Sequence, residues 1–217
     1  MLVFSRGVVR RMSVLALVVG VMSCRGVTGT FNTSISTVIA LSCATGGTCV
    51  VGDTGPGGGI VFYDAGSTQS WGRYLEATPS GWSGAIWAPR AEWGCVGTPI
   101  LGARGTGVGT GQANTTAIVN GCRTTGIAAQ LADALTFGGK SDWFVPSKDE
   151  LALLYASRAI IGGFAADTYW SSTEYNRGGA STEYYSHAWV QYLYNGLQSP
   201  NYKGGPLLSV RPVRAFG

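Results

Sequence analysis

The stretch Asp142 to Tyr155, DWFVPSKDELALLY, constrains this chain more than any other. A proline pushes the residue before it toward extended geometry, so no helix runs through Val145 into Pro146. Ser147 then stands as a natural N-cap, with Glu150 three residues on, the spacing of a capping box. Asp149 and Glu150 place negative charge at the positive end of the helix dipole. Leu151, Leu154 and Tyr155 recur at helical spacing and predict one apolar stripe. Trp143, Phe144 and Val145 read as a short buried extended segment ahead of it. A helix started at a fixed residue, with an apolar stripe, must cover a sheet.

The remaining composition decides where such a domain works. Of 217 residues only 12% are charged and 34 are glycine, a pattern of loop-rich, β-containing extracellular domains. The net charge of +4 is scattered, and no cluster of Lys/Arg with interleaved aromatics argues for nucleic acid. Arg6, Arg10 and Arg11 precede an apolar run from Val14 to Met22, the n- and h-regions of a secretory signal over residues 1–23. That run is too short to span a bilayer. Val21-Met22-Ser23-Cys24 also resembles a lipobox with a poorly fitting Met22. Two readings therefore stand: a lipid anchor at Cys24, or an ordinary signal with Cys24 idle. Either way the expected destination is secreted or cell-surface.

The four other cysteines, Cys43, Cys49, Cys95 and Cys122, make an even set suited to an oxidising compartment. Three pairings are open to them. The simplest is a local Cys43–Cys49 loop within a Thr/Ser-rich spacer over 24–50, with Cys95–Cys122 closing a longer one. A zinc site fails on spacing, since there is no CxxC pair and the single histidine, His187, is remote. The glycine run Val51 to Gly59 has too few triplets for collagen. It also lacks the GK[ST] of a phosphate loop, so it reads as a tight turn into a strand, Ile60 to Tyr63. Tyr74 to Ala77 is a second strand. Trp82, Trp87 and Trp93 crowd one loop region and read as packing ahead of sugar stacking. Asn32 and Asn114 open sequons that are too short a pattern to assign. Asn114 to Phe137 reads as helix in two parts, with Ile127, Leu131 and Leu135 as a stripe. Gly138-Gly139 stop it, and Gly162-Gly163 end a later helical region. Strands follow at Tyr169–Ser172, His187–Tyr194 and Leu207–Phe216, with Asn195-Gly196 as a tight turn.

The ordered set GDTGPGGGIVFY, YLEA, NTTAIV with a following cysteine, DWFVPSKDELALLY, YWSSTEY, AWVQYLYNG and VRPVRAF resembles the C-terminal domain of the Lcl (collagen-like adhesin) family, a bacterial domain of unknown function. The likeness covers about residues 51–217. That family is similar in fold to C-type lectins, formylglycine-generating enzymes and the variable proteins of diversity-generating retroelements. The resemblance implies an α+β class with a C-type-lectin-like fold: two helices on a twisted, mostly antiparallel sheet with long loops. The EPN, QPD and WND signatures of calcium-dependent lectins are absent, so no metal or cofactor is expected. The late cysteine pair of the formylglycine-generating enzymes is absent too.

One fold hosts many functions, so the site must be argued from residues. Glu174 and Glu183 could serve as paired carboxylates, but acidic residues beside a glycine-containing loop are more simply solvated, and no enzyme is expected. Arg211 and Arg214, flanking Pro212, suggest a structural ion pair with Glu150 or Glu174. The polar-aromatic segments after the Tyr169 strand hold Glu174, Tyr175, Asn176, Arg177, Tyr184 and Tyr185, then Asn195, Gln198, Asn201, Tyr202 and Lys203. Tyrosine offers broad contact area and Asn/Gln adaptable hydrogen bonds, and in the similar retroelement proteins this C-terminal region makes the ligand contacts. The expectation is an exported, non-enzymatic module whose partner is a glycan or another host or cell-surface ligand. The rival is a structural or oligomerising tip of a surface or phage-type fibre, as a homo-oligomer.

Overall fold

A computed structural model describes residues 41–85, 87–176 and 185–217, all within the compact unit Ile39–Gly217. The class is α+β. Among the described residues there are four helices, α1 (Gly111–Gly121), α2 (Ala128–Asp133), α3 (Lys148–Ala156) and α4 (Arg158–Ile161). The strands are β1 (Ile60–Gln69), β2 (Gly72–Ala77), β3 (Arg90–Ala91), β4 (Thr168–Glu174), β5 (His187–Tyr192), β6 (Gln198–Tyr202), β7 (Leu208–Ser209) and β8 (Val213–Phe216). They form two sheets where one was expected, in the orders β1-β2-β8 and β3-β7-β4-β5-β6, antiparallel except for β4 with β7.

Two apolar clusters join these layers. Helix α1 and α2 bury Ile118, Ile127, Ala128 and Ala132 against Trp93, Trp170, Val190 and Val210 on one face of the five-stranded sheet. The predicted Ile127–Leu131–Leu135 stripe is therefore shifted. Leu131 is only partly buried, and α2 ends at Asp133, before Leu135. On the other side α3 lays Leu151 and Leu154 on Phe62, Leu75, Tyr169 and Val213, as its stripe predicts. Cys43 and Cys49 pack with Val61 and Tyr74, so the small loop read as part of a spacer belongs to the folded core. Both disulfides, Cys43–Cys49 and Cys95–Cys122, are present.

The capping box is formed in full. Ser147 N–H donates to Glu150 Oε2 at 2.7 Å, and Glu150 N–H donates to Ser147 Oγ at 3.3 Å. The cap also reaches outward, because Glu150 Oε1 accepts from Gly109 N at 2.7 Å and Ser147 Oγ donates to Gly107 O at 2.9 Å. The 105–111 loop is thus fastened to the start of α3. Burial raises the Glu150 pKa despite the backbone donors that oppose the shift.

The glycine turn answers to a residue in the next motif. Gly57 N and Gly59 N donate to the buried Glu76 carboxylate at 3.0 Å each, and Arg214 Nη1 reaches it at 2.9 Å. Any Cβ at Gly55 or Gly57 would overlap that carboxylate. Here the oriented amides of a glycine turn bind an anion that belongs to the chain itself. Arg214 also pairs with Asp142, and the expected pairing of Arg211 or Arg214 with Glu150 or Glu174 does not occur. Arg211 has no carboxylate partner among the described residues. It donates to Gly162 O and Gly163 O and lies over the Phe164 ring, where burial lowers its pKa to about 10.

Candidate functional site: the open face of β5 and β6

The residues expected to contact a ligand divide into three groups. Glu174 and Lys203 are interior, with side chains fully buried and an Oε1–Nζ separation of 2.5 Å. Glu174 Oε1 also accepts from Ile100 N at 2.9 Å, and Oε2 accepts from Arg104 Nε at 3.2 Å. Lys203 Nζ donates to Thr98 O at 3.4 Å and sits 4.3 Å from the Trp93 ring centroid. Burial lowers the Lys203 pKa, and the hydrogen bond that its ammonium donates to Glu174 opposes the shift. The expectation that these two form part of a contact surface is corrected. They lock the ends of β4 and β6 to the 98–104 loop, because unpaired charges could not be buried there.

The second group lies at the surface. In β5 the alternation of HAWVQY sends Ala188 and Val190 into the core and His187 and Trp189 to the opposite face. Opposed residues in an antiparallel pair share a face, so His187 stands beside Tyr202 and Trp189 beside Pro200. His187 and Tyr202 meet edge to face at 6.0 Å. Tyr175 meets Trp189 edge to face at 5.3 Å, and Lys148 Nζ lies 4.8 Å from the same indole. Farther along this face α3 covers the sheet, and Gln191 is buried. Beyond the first residue of α3 no described helix covers the face, where Tyr175, His187 and Trp189 are half-buried and Tyr202 is exposed.

Strand β6 is held by its amides. Gln198 Nε2 donates to Lys148 O at 2.7 Å, and Lys148 N donates to Thr173 Oγ1 at 3.0 Å. The helix start and both flanking strands are thereby joined under the aromatic strip. Asn201 Oδ1 accepts from Tyr202 N at 2.8 Å. Tyr185 lies under the Arg104 guanidinium at 5.6 Å, and Asn176 is exposed.

The third group is apart. Asn195 shapes the β5–β6 turn through an Oδ1 bond from Leu197 N at 3.0 Å, with Tyr194 and Leu197 exposed beside it. Arg177, Tyr184 and Glu183 lie outside the described residues, as do Cys24 and the leader. Trp189, His187 and Lys148 were not on the expected contact list, although the period-two pattern of β5 points to the first two.

The three tryptophans of the early loop differ in burial, with Trp82 half-buried between two extremes. Trp93 is buried with Nε1 donating to Ser171 O at 3.0 Å, while Trp87 is largely exposed. Asn114 is buried and hydrogen-bonded to Gly105, so its amide is not available as a sequon acceptor in the folded chain. Among the described residues no group of three or more His, Cys, Asp or Glu could hold a metal ion, and no helix is long and apolar enough to cross a membrane. Comparison with protein-family models gives no match to this chain, and comparison with curated proteins gives none either.

Proposed function

We propose that this chain is an exported, non-enzymatic binding module that recognises a glycan or a similar cell-surface ligand through the open β5–β6 face. The observation that carries the reading is the aromatic strip Tyr175, Trp189, His187 and Tyr202, half-buried to exposed and past the reach of α3 among the described residues, with Lys148 and Pro200 beside it. Aromatic rings accept the apolar faces of sugars, and the neighbouring ammonium and amides suit hydroxyl groups at their edges. The resemblance to the Lcl C-terminal domain, and the lectin-like fold it implies, support the same reading. The two disulfides suit an oxidising, extracellular setting.

The test is a broad glycan array probed with the secreted chain, followed by titration of any ligand against Trp189→Ala and Tyr202→Ala. Each variant should bind at least tenfold more weakly, about 1.4 kcal/mol, with an unchanged melting temperature. Full affinity in folded variants would refute this site. A concentration-dependent oligomer that binds no glycan would instead support the structural-tip reading.

A further inference from the structure

A second concavity, sharing no lining residue with the aromatic strip, lies along the outer face of α1. Its volume is about 730 Å³, and its walls come from the β1–β2 turn (Ser70, Trp71), the outward side of α1 (Gln112, Thr116, Asn120) and the loop glycines Gly102 and Gly109. The inward side of the same helix buries Asn114, Thr115 and Ile118, so Gln112, Thr116 and Asn120 are left as an outward row. They recur every fourth residue and span about 12 Å at 1.5 Å per residue. Ala113 and Ala117 give the floor little height.

Three features identify what such a groove could take. None of its lining residues is charged, so it offers no counter-charge to a phosphate, a sulfate or a carboxylate. The side chains of Ser70, Gln112, Thr116 and Asn120 make no hydrogen bond to another described residue. In contrast, the amides of Asn114, Gln130, Gln191 and Gln198 all bond within the protein. Free amides and hydroxyls that both donate and accept match a polyhydroxyl ligand. The third feature is a fixed indole wall. Trp71 stacks on Tyr63 at 6.4 Å and 26°, and it presses so closely on Gly109 that a Cβ there would overlap the ring. Gly109 in turn is tied to α3 through its N–H bond to Glu150.

We infer that the Trp71–α1 groove is a separate binding site for a short, uncharged oligosaccharide. The indole takes one sugar face, and Gln112, Thr116 and Asn120 read the hydroxyls along the chain.

The experiment titrates the full secreted chain, by calorimetry, with cellotriose, maltotriose and N,N′,N″-triacetylchitotriose, and with a heparin tetrasaccharide as the charged comparison. The expected result is saturable binding of at least one neutral trisaccharide, equal at low and high salt. It should be weakened at least tenfold in Gln112→Ala/Asn120→Ala and in Trp71→Ala, with melting temperature as the control for folding. The inference is overturned if no neutral trisaccharide binds. It is equally overturned if binding is unchanged in the folded Gln112→Ala/Asn120→Ala variant, or if heparin alone binds. Binding that is lost only in Trp189→Ala would sink this site while supporting the aromatic strip.

Discussion

Replacing Glu174 tests whether the interior pair anchors the open face. In Glu174→Gln the Lys203 ammonium stays buried without a counter-charge, left with neutral partners: the amide oxygen of the new side chain, the Thr98 carbonyl at 3.4 Å and the Trp93 ring at 4.3 Å. Breaking a buried pair by removing one partner costs about 3–5 kcal/mol. The reverse change is milder. In Lys203→Met the carboxylate keeps Ile100 N and the partly exposed Arg104, so the expected loss is about 2 kcal/mol, near the cost of one unmade buried bond to a charged group. Combining the two changes removes the stranded ammonium, and the double variant should lie above the sum of the singles by about 1–3 kcal/mol. Urea melts at neutral pH, followed by tryptophan fluorescence, give all four values. The Lys203 pKa is lowered in the fold, so the unfolded chain binds the proton more tightly, and stability rises as pH climbs toward 10.5. That rise should be larger in Glu174→Gln, where the opposing negative charge is gone. Small, additive losses with no difference in pH slope would refute the argument.

Three further outcomes are expected. Burial raises the Glu150 pKa, so its charged form weakens the fold as pH rises above 4.5; the penalty of Glu150→Gln should therefore shrink between pH 4 and pH 7 in paired denaturation curves. Cys95→Ser/Cys122→Ser opens a loop with a sequence separation of 27 and should cost about 3.6 kcal/mol, against about 2.2 for Cys43→Ser/Cys49→Ser with a separation of 6; thermal melts of the two variants decide the order. Gly109→Ala combines a φ of +89° with overlap on Trp71, and should cost about 2 kcal/mol and shift the tryptophan emission.

Local rules made the start of α3 legible. The proline, the cap and the acidic first turn all act within four residues, and they agree with the apolar stripe behind them. The glycine run was legible as a turn but not as a clasp, because its partner Glu76 sits in the next motif and nothing nearby shows that YLEA will bury its carboxylate. Glu174 and Lys203 were misread for a related reason. Each has polar neighbours in sequence, and what encloses them is Trp93 and the 98–104 loop, brought in by the fold. Trp189 and His187 could have been found, since the alternation of β5 assigns them to one face. What the sequence could not supply was where α3 stops covering that face.

The position of the aromatic strip on an edge strand bears on how it can be used. The bonds Lys203 N to Ser186 O and Tyr192 N to Leu197 O bracket the β5–β6 ladder. Their alternation turns the backbone of Gln198, Pro200 and Tyr202 away from β5. Pro200 has no N–H to offer, and the Tyr202 N–H is already taken by Asn201 Oδ1. Only Gln198 keeps an outward donor, too little to template another strand. Natural sheets blunt their edges with proline and self-bonded groups in this way. A partner that added a strand to β6 would gain few backbone bonds, and two copies meeting edge to edge would gain no more. Under the proposed reading, recognition would therefore run through the side chains of Trp189, His187, Tyr202 and Tyr175, a ligand laid flat on the rings being the use that asks least of this edge.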